Sequence, residues 1–164
     1  MTQRFLGCVS LSVVMLVALV AQAGAGSKDA PNIQGWEHGS AYDKLYDPKE
    51  SDSFKGRVTK ILHITPLPGM APGIGIQVED KKDKGLETVH LGPADAVDLA
   101  SIGLKVGDQV KVVGAWVDMD DQDIMLAVKV KKDDGSQLKV RRSKDGFPVW
   151  SMTPEEQTKT LSND

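Results

Sequence analysis

Three histidines, His38, His63 and His90, are the residues of this chain best suited to metal or proton chemistry. Two imidazoles with a carboxylate make a common metal set. No H-x-x-x-H, H-x-H or H-E-x-x-H spacing is present, so no single element presents two of them together. His63 and His90 fall in segments that read as strands of one sheet, which makes them the candidate metal pair. Surface or hydrogen-bonded strand histidines are the plainer alternative. Asp118, Asp120, Asp121 and Asp123 place four carboxylates in six residues, an oxygen-rich turn of the kind calcium favours. The EF-hand pattern fails there: loop position six is not glycine and position twelve is Lys129. A tight acidic hairpin turn is the alternative. Met70, Met119, Met125 and Met152 could offer thioethers to copper(I), but no M-x-M or M-x-x-M occurs. Filling gaps in a core is their simpler role.

Catalytic constellations are missing. Cys8 is the one cysteine, and there is no C-x-x-C-H haem signature, no G-x-S-x-G elbow and no phosphate-cradling glycine loop. The expectation is a protein that is not an enzyme and carries no cofactor. The formal net charge is −3, with acids and bases interleaved almost throughout. Such a balance suits neither a phosphate backbone nor a general nucleic-acid binder. Lys139, Arg141, Arg142 and Lys144 form the one basic cluster and are the candidate nucleic-acid contacts.

The elements that must position these groups can be read in chain order. Arg4, an apolar run from Phe5 to Val20, and Ala21-Gln22-Ala23 read as a signal peptide over 1–23, which points to a periplasmic or secreted protein. A retained N-terminal anchor is the competing reading. Cleavage would remove Arg4 and Cys8, leaving a slightly more acidic chain with no thiol for a disulfide. Residues 24–53 read as a flexible leader followed by an aromatic lead-in holding Trp36, Tyr42, Leu45 and Tyr46. The lead-in is expected to pack its rings over one mouth of the domain. A partner-binding arm is the sharper reading.

Residues 54–132 read as five strands. The first, Phe54 to Thr65, carries Val58, Ile61, Leu62 and Ile64 out of strict alternation, which predicts a bulge. A loop with three prolines follows, from Pro66 to Gly73. Strand two has Ile74, Ile76 and Val78 inward. Strand three ends near Leu91, with Val89 and Leu91 on one face and His90 on the other. Gly92, Pro93, Asp95 and Gly103 predict a short helix between strands three and four, with Val97, Ala100 and Ser101 on its apolar side. Strand four spans Asp108 to Val117. Strand five spans Asp123 to Lys132, with Ile124, Leu126, Val128 and Val130 as its inward set. Residues 133–152 predict an additional hairpin, Gln137 to Arg142 against Phe147 to Trp150. In the tail, 153–164, Thr153-Pro154-Glu155-Glu156 is a capping-box helix start.

A helix lodged between the third and fourth of five strands is the connectivity of a Greek-key OB-fold barrel. The expected class is therefore all-β with one short helix. In such a barrel, ligands meet the face of strands two and three and the loops joining strands one–two and four–five. Met70, Gln77, His90, Trp116 and Asp120 are the candidate ligand-binding residues on that surface. Strands two and three contain no aromatic for base stacking, which argues against nucleic acid.

The blocks Gly35-Trp36, Tyr42-Asp43-Lys44-Leu45-Tyr46-Asp47-Pro48, Val89-His90-Leu91-Gly92-Pro93 and Gly146-Phe147-Pro148-Val149-Trp150 resemble recurring blocks of secreted, OB-like bacterial proteins of the periplasm. That set is linked to stress tolerance and often labelled DNA-binding. The resemblance implies an OB barrel and a periplasmic binding or accessory module for an envelope protein or small ligand. It implies no catalytic residues. The alternatives are a metal-binding protein, through His90 with His63 or the Asp118–Asp123 turn, and a single-stranded nucleic-acid binder.

Overall fold

The computed structural model describes residues 30–162. The signal-peptide segment lies outside them. Six strands form one sheet: β1 (Ser51–Ile64), β2 (Gly73–Asp80), β3 (Leu86–Pro93), β4 (Gln109–Met119), β5 (Gln122–Lys132) and β6 (Gln137–Lys139). The sheet order is β3-β2-β1-β4-β5-β6, with antiparallel neighbours. A further, parallel pairing joins Thr88–His90 of β3 to Ile124–Leu126 of β5. The pairings therefore run β1–β2–β3–β5–β4 and back to β1.

Bulges set which residues face which way. The expected slip in β1 falls between Val58 and Lys60, so Thr59 is the unpaired residue. A second slip leaves Leu91 opposite no residue of β2. A third lies in β5, where Val113 faces Lys129 but Gly114 faces Ala127, leaving Val128 unpaired. This third bulge corrects the expected inward set of β5. One residue of slip exchanges the two faces of a strand. Met125, Ala127 and Val130 enter the main core with Val58, Ile76, Val78, Val89, Leu91 and Val112. Ile124 and Leu126 instead point into a second core with Trp36, Tyr42 and Ala71. Residues 124–128 are accordingly buried on both faces.

The helix expected between β3 and β4 is not an α-helix. Gly92 and Pro93 belong to β3, paired with Ile74 and Gly73, so they cannot also start a helix. What remains is a 3-10 turn, Leu99–Ile102, capped by the Asp98 carboxylate on the Ala100 N–H at 2.9 Å. Gly103 closes it in the left-handed conformation, as its type predicts. Val97 and Leu104 are buried in the main core, whereas Ala100 and Ser101 are exposed. Among the described residues the one α-helix is C-terminal: α1, Pro154–Ser162. Its capping box is formed reciprocally, with Glu156 Oε2 accepting from the Thr153 N–H at 2.9 Å and Thr153 Oγ1 accepting from the Glu156 N–H at 3.3 Å.

The C-terminal hairpin is also different from expectation. β6 pairs along β5, and Val140 and Arg141 donate their N–H groups to Val128 O. The returning segment keeps only an Arg141–Pro148 bridge before a 3-10 turn at Val149–Ser151. Among the described residues no helix is long and apolar enough to cross a membrane.

Candidate functional site

The lead-in is the element that decides what the molecule can offer a ligand. Residues 31–50 lie across the face formed by the β1–β2 loop and the outward side of β5. Trp36 and Tyr42 are each 1% exposed. Their rings meet edge to face at 4.8 Å, and Trp150 meets Trp36 at 6.3 Å. The Trp36 indole N–H donates to Ala71 O at 2.8 Å, and Ala71 N–H donates to Gln34 O at 2.8 Å. Glycines make the approach possible. A Cβ on Gly73 would strike the Trp36 ring, and one on Gly92 would lie 2.5 Å from the Trp150 ring.

Two polar groups sit beneath this cover. The His90 ring, 6% exposed, shares a hydrogen bond of 2.9 Å between its Nδ1 and the Tyr42 hydroxyl. Burial lowers the His90 pKa from 6.5 to about 4 and raises that of Tyr42, an effect the Arg141 charge partly offsets. Arg141, 2% exposed, donates through one guanidinium nitrogen to Asp43 Oδ1 at 2.6 Å and to Gly146 O at 2.9 Å. Its guanidinium also lies over the Tyr46 and Trp150 rings. The other Asp43 oxygen takes the Gly39 N–H at 2.8 Å and His38 Nδ1 at 2.9 Å. No buried side-chain nitrogen or oxygen lacks a partner among the described residues.

The expected site residues are therefore dispersed. His63 is exposed and stands opposite Ile74, while His90 stands opposite the next β2 residue, Gly75. Successive residues of a strand face opposite ways, so the two imidazoles fall on opposite sides of the sheet. No group of three or more potential metal-binding side chains occurs among the described residues. Met70 packs into the second core, against Gly35. Gln77 is half-buried in β2. Trp116 stacks on Phe54 at 5.9 Å, and its N–H points to Asp52 at 3.4 Å. Asp120 and Asp121, both at positive φ, make the tight turn between β4 and β5. Of the five expected ligand-binding residues, Met70 and His90 are thus covered by the lead-in, whereas Gln77, Trp116 and Asp120 lie apart from it.

The basic cluster is corrected as well. Arg141 is buried on Asp43, and Lys139 is buried with its ammonium on Thr160 O at 2.6 Å. Arg142 grips Asp145 with two bonds of 2.8 and 2.6 Å. Only Lys144 of the four is exposed. The helix start at Thr153-Pro154-Glu155-Glu156 was legible in the sequence, but not that α1 would stand against the 142–145 turn. Between α1 and the 142–145 turn lies a cleft of about 570 Å³, lined by Lys139, Arg142, Lys144 and Lys159 with Asp145 and Glu156. The signal was present: Glu156, Lys159 and Thr160 share a helical face at i, i+3, i+4.

A family model described as the MamS/MamX magnetosome protein family matches residues 50–136, more than half of the chain. The chain belongs to the MamS/MamX magnetosome protein family. The matched span covers β1 to β5 and ends at Ser136, immediately before β6. In this MamS/MamX protein the aromatic lead-in, β6 and α1 all lie outside the matched span, although Trp36 and Arg141 are nearly as buried as the core residues within it. No curated protein and no solved structure matches the chain. The comparisons supply no OB-fold or DNA-binding relative.

Proposed function

We propose that this protein is a non-enzymatic binding or accessory module of the cell envelope, built on an OB-like barrel. The cycle of strand pairings, with β3 and β5 parallel, supports the barrel reading. Membership of a magnetosome family supports an accessory role alongside other envelope proteins. One observation carries the non-enzymatic reading. The side chains best able to move protons or hold charge are committed to holding the lead-in: His90 to Tyr42, and Arg141 to Asp43. A general acid or base must reach a substrate atom directly or through one water, and these groups are sealed beneath aromatic rings.

The test uses the full chain, immobilised and exposed to envelope extract from magnetosome-forming cells. A discrete protein retained at low salt and released at high salt is the expected result. Turnover of a chromogenic ester, phosphoester or peroxide substrate by the purified chain, lost on heating, would contradict the reading.

A further inference from the structure

We propose that the cleft between α1 and the 142–145 turn docks an acidic peptide segment of a protein partner, with its carboxylates set against Lys144 and Lys159; this rests on the binding-module reading above. Trp36 and Tyr42 already cover the part of the sheet face around Met70 and His90, which leaves an outside partner less of that face to use. The cleft's volume of about 570 Å³ lies within the usual range for ligand sites.

Its charge is unlike that of the whole chain. Four cations face two acids there, in a protein of net charge −3. Both acids are already engaged. Asp145 is held by two bonds from Arg142, and Glu156 by the N–H and hydroxyl of Thr153. Lys144 and Lys159 are exposed, and the charge of Lys144 acts on Asp145, whose carboxylate is already bonded to Arg142. An incoming carboxylate can satisfy them without breaking an existing pair.

The same lining favours spaced single charges over dense ones. Asp145 and Glu156 stay in the wall, so a nucleic-acid backbone or a phosphate dianion would be repelled where a peptide can place glycine or serine. The acidic Asp118–Asp123 turn would repel such a peptide.

The experiment titrates the full chain with an end-blocked peptide of alternating aspartate and glycine, by calorimetry at low and high salt. Binding that weakens with salt is expected, and K144E/K159E should lower affinity on the order of tenfold. K144R/K159R should retain it. K144E alone, which lies outside α1, keeps the test valid if K159E frays the helix. Unchanged binding by both charge-reversal variants, no binding at low salt, or tighter binding of oligothymidylate or of anionic phosphatidylglycerol vesicles through the same lysines would overturn the inference. If the peptide fails while an envelope protein is still retained, the cleft is wrong and the binding-module reading stands. Substrate turnover would remove that reading whatever the peptide does.

Discussion

His90 is held neutral by burial, with one ring nitrogen on the Tyr42 hydroxyl. The consequence for stability has a definite sign. The unfolded chain takes a proton at this imidazole below about pH 6.5, while the folded chain resists it down to about pH 4. Stability from this group is complete above pH 6.5 and is lost as pH falls through that window, by up to about 3 kcal/mol. His90→Gln, which keeps a neutral hydrogen-bonding side chain beside Tyr42, should flatten the acid limb of a denaturation-midpoint profile between pH 6.5 and 4. An unchanged slope would place the acid sensitivity elsewhere. Arg141 makes the sharper prediction. Its removal leaves the buried Asp43 carboxylate without its guanidinium, with only His38 and the Gly39 N–H beside it, so Arg141→Ala should cost on the order of 3–5 kcal/mol in urea unfolding. The D43N/R141M pair should cost less than the single variant, because no lone charge remains. The types of His90, Asp43 and Arg141 were plain in the sequence, but their roles were not. Asp43 and Arg141 lie 98 positions apart, and only the third dimension makes them a pair. Histidine 90 was correctly placed on the opposite face from Val89 and Leu91. What lies over that face could not be read from β3 alone.

The elements show why alternation is a good guide to strands and a poorer guide to faces. β2 and β5 were legible from their period-two patterns. The inward set of β5 was not, because the bulge at Val128 reverses parity halfway and the sequence carries no mark of it. The Gly92-Pro93 pair misled for a related reason: it satisfies the rules for a helix start and for a strand end equally well, and pairing with β2 decides for the strand. The β4–β5 turn was read correctly as a tight acidic hairpin. Two consecutive residues at positive φ, Asp120 and Asp121, match the type I′ turn that favours Asn-Gly. Asp118 and Asp123 face each other across its base, two like charges in direct opposition. D120N/D121G should therefore raise stability by about 0.5–1 kcal/mol, seen as a melting shift of a few degrees. A fall in melting temperature would mean that the acidic turn holds something the free chain needs. At the other end, Gly146 allows Tyr46 to lie against the backbone at positive φ. Gly146→Ala should destabilise by roughly 1–3 kcal/mol, measured in the same assay.

At the scale of the molecule, two straps, one before β1 and one after β6, close over one six-stranded sheet. The lead-in contributes Trp36, Tyr42, Asp43 and Tyr46, and the C-terminal segment contributes Arg141, Gly146 and Trp150. All four sequence blocks that carried the resemblance to secreted OB-like proteins contribute to this one cluster. The fold was legible to that extent: composition excluded a thiol framework, periodicity gave the strands, and the density of rings in 31–50 marked a segment that must be buried somewhere. Its destination, the face around Met70 and His90, depends on long-range packing that no local pattern encodes. The central claim is that this face is permanently occupied by the chain itself. Native-state hydrogen exchange of the indole N–H groups tests it most directly. The Trp36 N–H, bonded to Ala71 O, should exchange at least roughly a thousandfold more slowly than that of half-buried Trp116, and only with global unfolding. Comparable exchange at the two indoles would show the lead-in lifting freely from the sheet, and the face open to a ligand after all.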